Sequence, residues 1–249
     1  MRRWWPLAAL GVGAYLLFAI VTLPAQIALS RLESFGVRAA GVSGTVWNGS
    51  AQVLTVNGLH LGGVEWDLHV LTLFAGRLNA DVRVKRNDGF LQTEISATPS
   101  GRLHFQGLTG SLPLTALPPN AVRGGWTGTV NLKLASLVLE KNWPVSAEGT
   151  VEAIDVTGPS SKPVNLGSYK TTFPAGSSKD GSLTGALTDI GGPLQITGTV
   201  QLKAADRSYH IDGMIAARPD APRDVVNTLQ FLGPPDEQGR RPFGTEGTM

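Results

Sequence analysis

No cysteine occurs in the 249 residues. That excludes a disulfide framework, a thiolate nucleophile and the cysteine-rich zinc sites. It fits a bacterial periplasm, where many folds do without disulfides. Histidine is scarce, at four positions: His60, His69, His104 and His210. The nearest approach to a metal constellation is Glu65, Asp67 and His69, whose alternate spacing is what the solvent side of any amphipathic strand produces. No metal is expected there, because a catalytic zinc site wants more imidazole or thiolate. Charged residues are few, at 16%, and the net charge of +2 is spread along the chain, unlike the clustered basic footprint of a nucleic-acid binder. Ser43 lacks the glycine two residues on that a nucleophile elbow requires. Gly124, Gly125 and Gly128 lie on a strand pattern and not before a helix N-terminus, so they form no phosphate cradle. These absences leave neither an enzyme nor a cofactor to expect.

What is present begins with an uncharged stretch from Trp4 to Ser30, densest over the 18 residues from Pro6 to Leu23. A helix rising about 1.5 Å per residue through a hydrocarbon layer of about 30 Å needs roughly 20 such residues. The milder run through Pro24, Ala25, Ile27, Ala28 and Leu29 extends the stretch. Trp5, Leu16, Leu17 and Phe18 are therefore read as membrane-anchor residues, with Trp4, Trp5 and Tyr15 as interfacial rings. Arg2 and Arg3 place the N-terminus in the cytoplasm and the bulk of the chain on the far side. A cleaved signal peptide ending at Ala28-Leu29-Ser30 is the competing reading, and the apolar run is too long for it. Arg31 to Arg38 reads as the helix leaving the membrane. The division is thus an anchor over residues 1–35 and a β-rich domain over 36–249, with a weak internal boundary at the proline-rich segment near 112–120.

Beyond the anchor, 31 glycines and 16 prolines punctuate short alternating runs, the pattern of many strands with frequent turns. Turns are expected at Asn48-Gly49 and Asn57-Gly58, a further turn at Ala75-Gly76, and a loop over Gly158–Pro163. Val64, Trp66, Leu68 and Val70 share one face, as do Leu78, Ala80, Val82 and Val84, and further on Trp126, Val130, Leu132 and Leu134. Clear hairpins follow over 194–215, then a helical pattern at Asp220 to Leu232 and one edge strand over the last residues. A faint echo between Gly44–Gly49 and Gly125–Val130 suggests a duplicated hairpin. The architecture expected is all-β: one N-terminal transmembrane helix, then an elongated, twisted antiparallel sheet of roughly 12 strands, folded over or grooved, with a short helix near the C-terminus. Trp66 and Trp126 fall on apolar strand faces; Trp47 and Trp143 fall at turns, as lids or contacts. The patch of Val225, Leu229 and Leu232 is read as packed on the sheet, with Phe231 and Leu232 as candidate contacts.

Three stretches together resemble a known family, protein N of the type II secretion system (GspN). They are Val42-Ser43-Gly44-Thr45-Val46-Trp47-Asn48-Gly49 after the anchor, Leu187-Thr188-Asp189-Ile190-Gly191-Gly192-Pro193-Leu194 with its hairpin, and Leu229-Gln230-Phe231-Leu232-Gly233-Pro234-Pro235-Asp236 followed by Gly239-Arg240. The resemblance implies a single-pass bacterial inner-membrane protein with a periplasmic β domain, accessory to the export of folded proteins across the outer membrane. Its implied partners are other type II secretion components, the inner-membrane platform first. A more distant likeness to AsmA-type proteins implies the alternative, a lipid-binding or lipid-transfer groove built from the same apolar faces. Candidate partner or groove contacts are Trp47, Trp66, Trp126, Phe231 and Leu232. The family carries no catalytic residues to transfer.

Overall fold

The computed structural model describes residues 5–73, 76–117, 122, 125–159 and 163–248, in two compact units, Met1–Arg86 and Asn87–Met249. Among the described residues there are fifteen strands, and the pairings within each unit are antiparallel. The expected all-β character is therefore present, with more strands than the sequence pattern separates.

The first unit opens with helix α1, Trp5–Val21, of 17 residues. Among the described residues no helix is long and apolar enough to cross a membrane. The run after Leu23 does not prolong α1. Pro24, which cannot donate a helical hydrogen bond, instead bridges to Thr45. A separate helix α2, Ala25–Arg31, follows, and Ala25 is 1% exposed. Of the helix expected over Arg31–Arg38 and ending near Gly36, the end is as expected, at a left-handed Gly36, but the residues before it form a 3-10 turn, Glu33–Phe35, and strand β1, Val37–Ala40, follows.

Strand β3, Asn48–Val56, takes β1 and the two-residue β2, Ser43–Gly44, along one side and β4, Leu59–Leu68, along the other. α2 lies against β1 and β2. β5, Leu78–Arg86, pairs along the free side of β4. Asn57-Gly58 makes the expected tight turn, both residues at positive φ (51° and 82°). Asn48-Gly49 does not: Thr45 and Asn48 face each other and the turn residues are Val46 and Trp47. Gly49 is extended, and a Cβ there would lie 2.6 Å from the Trp66 ring. Close approach, not turn geometry, accounts for this glycine. The alternation of β4 ends at Leu68, since Val70 belongs to a one-turn helix α3, Val70–Leu73. Of the expected turn Ala75-Gly76, Ala75 lies outside the described residues.

The second unit is a meander: β6 Gly89–Ala97, β7 Arg102–Pro113, β8 Thr127–Glu140, β9 Trp143–Thr157, β10 Asn165–Phe173, β12 Ser182–Gly191, β13 Leu194–Lys203, β14 Ser208–Ala217 and β15 Arg241–Thr248. The short β11, Ser178–Lys179, pairs with β12. Leu112 and Pro113, read as connector, end β7, and the buried Leu114 opens a 3-10 turn. Residues 118–120 of that segment lie outside the described residues, as do residues 160–162 of the loop expected at Gly158–Pro163. The echo is not a duplication: Val46-Trp47 is a hairpin tip, whereas Gly125–Val130 runs into a 14-residue strand.

This second sheet curls on itself. Cα atoms of β9 come within 8 Å of β12 and β13, which in a flat sheet would stand about 10 and 14 Å away. The first half of β9, beyond the reach of β10, is closed by hydroxyls: Ser177 Oγ donates to the Ala147 carbonyl at 3.0 Å and Ser178 Oγ to Val145 at 2.6 Å. Inside the curl, Leu108, Leu134, Ala147 and Phe173 pack around Leu183, which is 1% exposed, with Leu132 and Leu202 at the margin. Burying a leucine this completely stabilises by about 2 kcal/mol. A second cluster joins Leu194 and Ile215 to Val225 and Leu229 of helix α4, Arg223–Leu229. A third gathers Leu114, Val130 and Val156, with Trp126 against it.

Candidate interaction surfaces

The stretch Val42–Gly49 forms a collar on the end of α1. The last carbonyls of a helix have no partner within it. Here Thr22 N–H and Oγ donate to the Phe18 carbonyl at 2.9 and 2.7 Å, and the Trp47 indole N–H donates to the Ile20 carbonyl at 2.8 Å. Val46 N–H donates to Leu23 at 3.0 Å. Trp66, half-buried on β4, donates its indole N–H to the Val46 carbonyl at 3.0 Å. Trp47 and Trp66 thus meet in one network that fixes the helix end to the sheet, a link that strand periodicity in the sequence cannot express. On α1 itself Phe18 is exposed. The side chains of Trp5, Leu16 and Leu17 lie outside the described residues, as does Trp4.

Beside the collar, a cavity of about 370 Å³ is lined by Ser43, Asn48, Glu65, Asp67, Asp81 and Arg83 among others. Glu65, Asp67 and His69 do not converge. Glu65 accepts from Lys85 at 2.6 Å, which holds its carboxyl below the ordinary carboxylate value. Asp67 accepts from Asn48 at 3.3 Å, and His69 pairs with Asp81 at 3.2 Å.

Sequence reasoning singled out Leu187–Leu194 without assigning it a task. Asp189, its side chain 11% exposed, accepts the Ile196 N–H at 2.9 Å and is ion-paired with Arg218, which also donates to the Gly192 carbonyl at 3.0 Å. The pair ties the β12–β13 turn to the end of β14. Nearby, Tyr169 donates its hydroxyl to the Leu166 carbonyl, and burial, seconded by the Asp189 charge, pushes its pKa up to about 12. Trp126 rests against the third cluster beside Gly158. Trp143, expected at a turn as core lid or contact, follows the Lys141-Asn142 turn as the first residue of β9 and is 6% exposed, a buried position that suits a lid and not a contact.

The tail presents the opposite situation. α4 turns Val225 and Leu229 into the second cluster. A 3-10 turn, Gln230–Leu232, then carries Phe231 outward, 90% exposed, with Leu232 and Val226 also exposed. The backbone behind it is held: Gly233 sits at φ 99°, its carbonyl accepts from Arg241, and Asp236 takes the Arg240 side chain at 3.0 Å and the Gln238 and Arg240 N–H groups at 2.9 and 2.8 Å. Burial opposes ionisation of Asp236, but these donors outweigh it and its pKa is lowered. Apolar side chains on a fixed turn suit contact with another molecule, since no folding energy is gained by their exposure.

Residues 35–244 match the family described as type II secretion system (T2SS), protein N. A type II secretion system protein N from Vibrio cholerae serotype O1 is 27% identical over 244 residues, covering 92% of each chain. One from Aeromonas hydrophila is 27% identical over 257 residues, covering 98% of each. No solved structure matches the chain.

Proposed function

The chain belongs to the type II secretion system protein N family, and on that premise we propose that it is a non-catalytic accessory subunit, anchored in the inner membrane and acting through protein contacts in the periplasm. α1 is the anchor. Leu10, Val12, Tyr15, Phe18, Ile20 and Val21 are all more than half exposed on it, a surface that water disfavours and lipid does not. Its 17 residues reach about 26 Å at 1.5 Å per residue, short of a hydrocarbon layer of about 30 Å, so the anchor reading rests on this exposed apolar surface and not on the length of α1. The collar supports a stiff connection between this helix and the first unit, so the sheet does not swing freely on a tether.

The observation that carries the contact reading is Phe231, 90% exposed on a turn whose backbone is pinned by Gly233 and Arg241. A preordered aromatic loses little conformational entropy on docking and commonly dominates an interface. The partner is another secretion component at the inner-membrane platform. Packing favours this over an open lipid groove: Leu134 of the second unit's apolar face is buried against its own strands.

Phe231→Ala tests the proposal. An exposed side chain contributes within about 0.5 kcal/mol to folding, so the variant should accumulate normally. Its co-purification with platform subunits should fall by roughly tenfold or more, the loss of about 2 kcal/mol at an interface anchor. Undiminished co-purification and secretion in Phe231→Ala cells would end the contact reading.

A further inference from the structure

The two units treat their outermost strands, β1 with β2 and β15, differently. In the first unit, the side of β1 and β2 away from β3 is covered by α2 and by the Pro24–Thr45 bridge. In the second, the Gln230–Leu232 turn approaches β15, which pairs with β14 over eight consecutive residues, Arg241–Thr248, with no shift of register, and no described strand pairs with its other side. An antiparallel strand directs the N–H and C=O of alternate residues to each side. About four residues of β15 therefore present backbone donors and acceptors outward. Proteins ordinarily blunt such an edge with a bulge, inward charges, lysine or proline. β15 has a proline at Pro242, near its start, and along Phe243–Thr248 a single charged side chain, Glu246, with no bulge and no lysine.

We propose that the free edge of β15 is a docking site for an extended segment of a partner protein, which adds to the sheet as a further strand. The side chains around the edge specify its chemistry. Phe243 lies over Gly213 and joins the second cluster, so an added strand needs an apolar residue on that face. On the opposite face Glu246, 84% exposed, stands directly across from His210, with Asp212 two residues along on β14. The Glu246–His210 approach is 3.7 Å and the His210–Asp212 approach 3.6 Å, so one imidazole is shared by two carboxylates. A side chain placed beside Glu246 by strand addition meets a carboxylate that is 84% exposed, and directly opposed like charges are destabilising. The segment therefore carries lysine or arginine at that position, alternating with apolar residues. This mode, main-chain pairing for affinity and alternate side chains for specificity, is separate from the Phe231 contact.

The probe is an amidated octapeptide of alternating lysine and valine carrying an N-terminal fluorescein, with its glutamate–valine counterpart labelled in the same way, and the full chain in detergent is titrated into each while fluorescence anisotropy is read. Gly244 and Thr245 are adjacent, so the N–H of one faces outward. Gly244→Pro and Thr245→Pro are both made, and the one that keeps the native melting temperature is the variant blocked at the edge. The expected result is binding of the lysine peptide at least tenfold tighter than the glutamate peptide. Glu246→Lys should reverse that preference, and the blocking proline should abolish both. The inference is overturned if the lysine peptide does not bind, if both peptides bind alike, or if the blocking proline leaves binding unchanged.

Discussion

Replacing Asp189 probes how the second unit is held together. Its carboxylate accepts the Ile196 N–H and pairs with Arg218, and it is 11% exposed. Asp189→Ala leaves a part-buried backbone donor without its acceptor, a loss of about 1.5–3 kcal/mol for a hydrogen bond to a charged group. It also leaves Arg218 without its counter-ion, although that side chain is 35% exposed and keeps the Gly192 carbonyl, so the further cost is about 1 kcal/mol. The sum expected is about 3 kcal/mol. Arg218→Ala should cost about 2 kcal/mol, because Asp189 retains the Ile196 N–H. Urea denaturation of the full chain in detergent gives both values, and the double variant gives the coupling, expected at about 1–2 kcal/mol. Amide exchange at Ile196 should quicken in Asp189→Ala and not in Arg218→Ala. If Asp189→Asn and Asp189→Ala both unfold within about 0.5 kcal/mol of the parent chain, the account of this turn is wrong.

Leu183→Ala removes the side chain at the centre of the curled sheet and should destabilise by about 2–5 kcal/mol in the same denaturation series; a change below about 1 kcal/mol would mean the curl is not packed there. Trp47→Phe keeps a ring but deletes the indole donor to Ile20, so it should cost about 0.5–1.5 kcal/mol, and Phe18, labelled through Phe18→Cys, should gain mobility by spin-label spectroscopy; unchanged spectra would count against a stiff collar. Tyr169 has its pKa raised from 10.0 to about 12. The folded state therefore holds a proton that the unfolded state releases, and stability contributed below pH 10 is lost as pH climbs from 10 to 12. Tyr169→Phe should flatten that alkaline decline, and an equally steep decline in the variant would refute the assignment.

Period and turn chemistry made part of the fold legible. The β5 alternation put Ala80 and Val84 in the buried set, and Asn57-Gly58 turned where its φ values demand it. The errors came where a residue answers to a partner distant in sequence. Gly49 looks like a turn glycine until the Trp66 ring, 17 positions on, is seen to need the space. Pro24 and Ala25 look like the tail of a membrane run until Thr45 pairs with Pro24 and Ala25 is buried. Asp189 and Arg218 stand 29 residues apart, and only the paths of β12 to β14 bring them together. Of the candidate contacts, Trp47 and Trp66 share the collar network and Trp126 packs at the third cluster. Phe231 and Leu232 are exposed at the tail. Alternation shows that a face is apolar; what covers it is a tertiary fact.

The central claim, that the tail turn meets another secretion component, is tested most directly by a photo-crosslinking amino acid at position 231 in the full-length chain, in secreting cells. The account predicts a crosslink to an identified subunit of the secretion platform, lost when the label is moved to the buried position of Leu229. Crosslinks to phospholipid alone, or none while secretion proceeds normally, would contradict it.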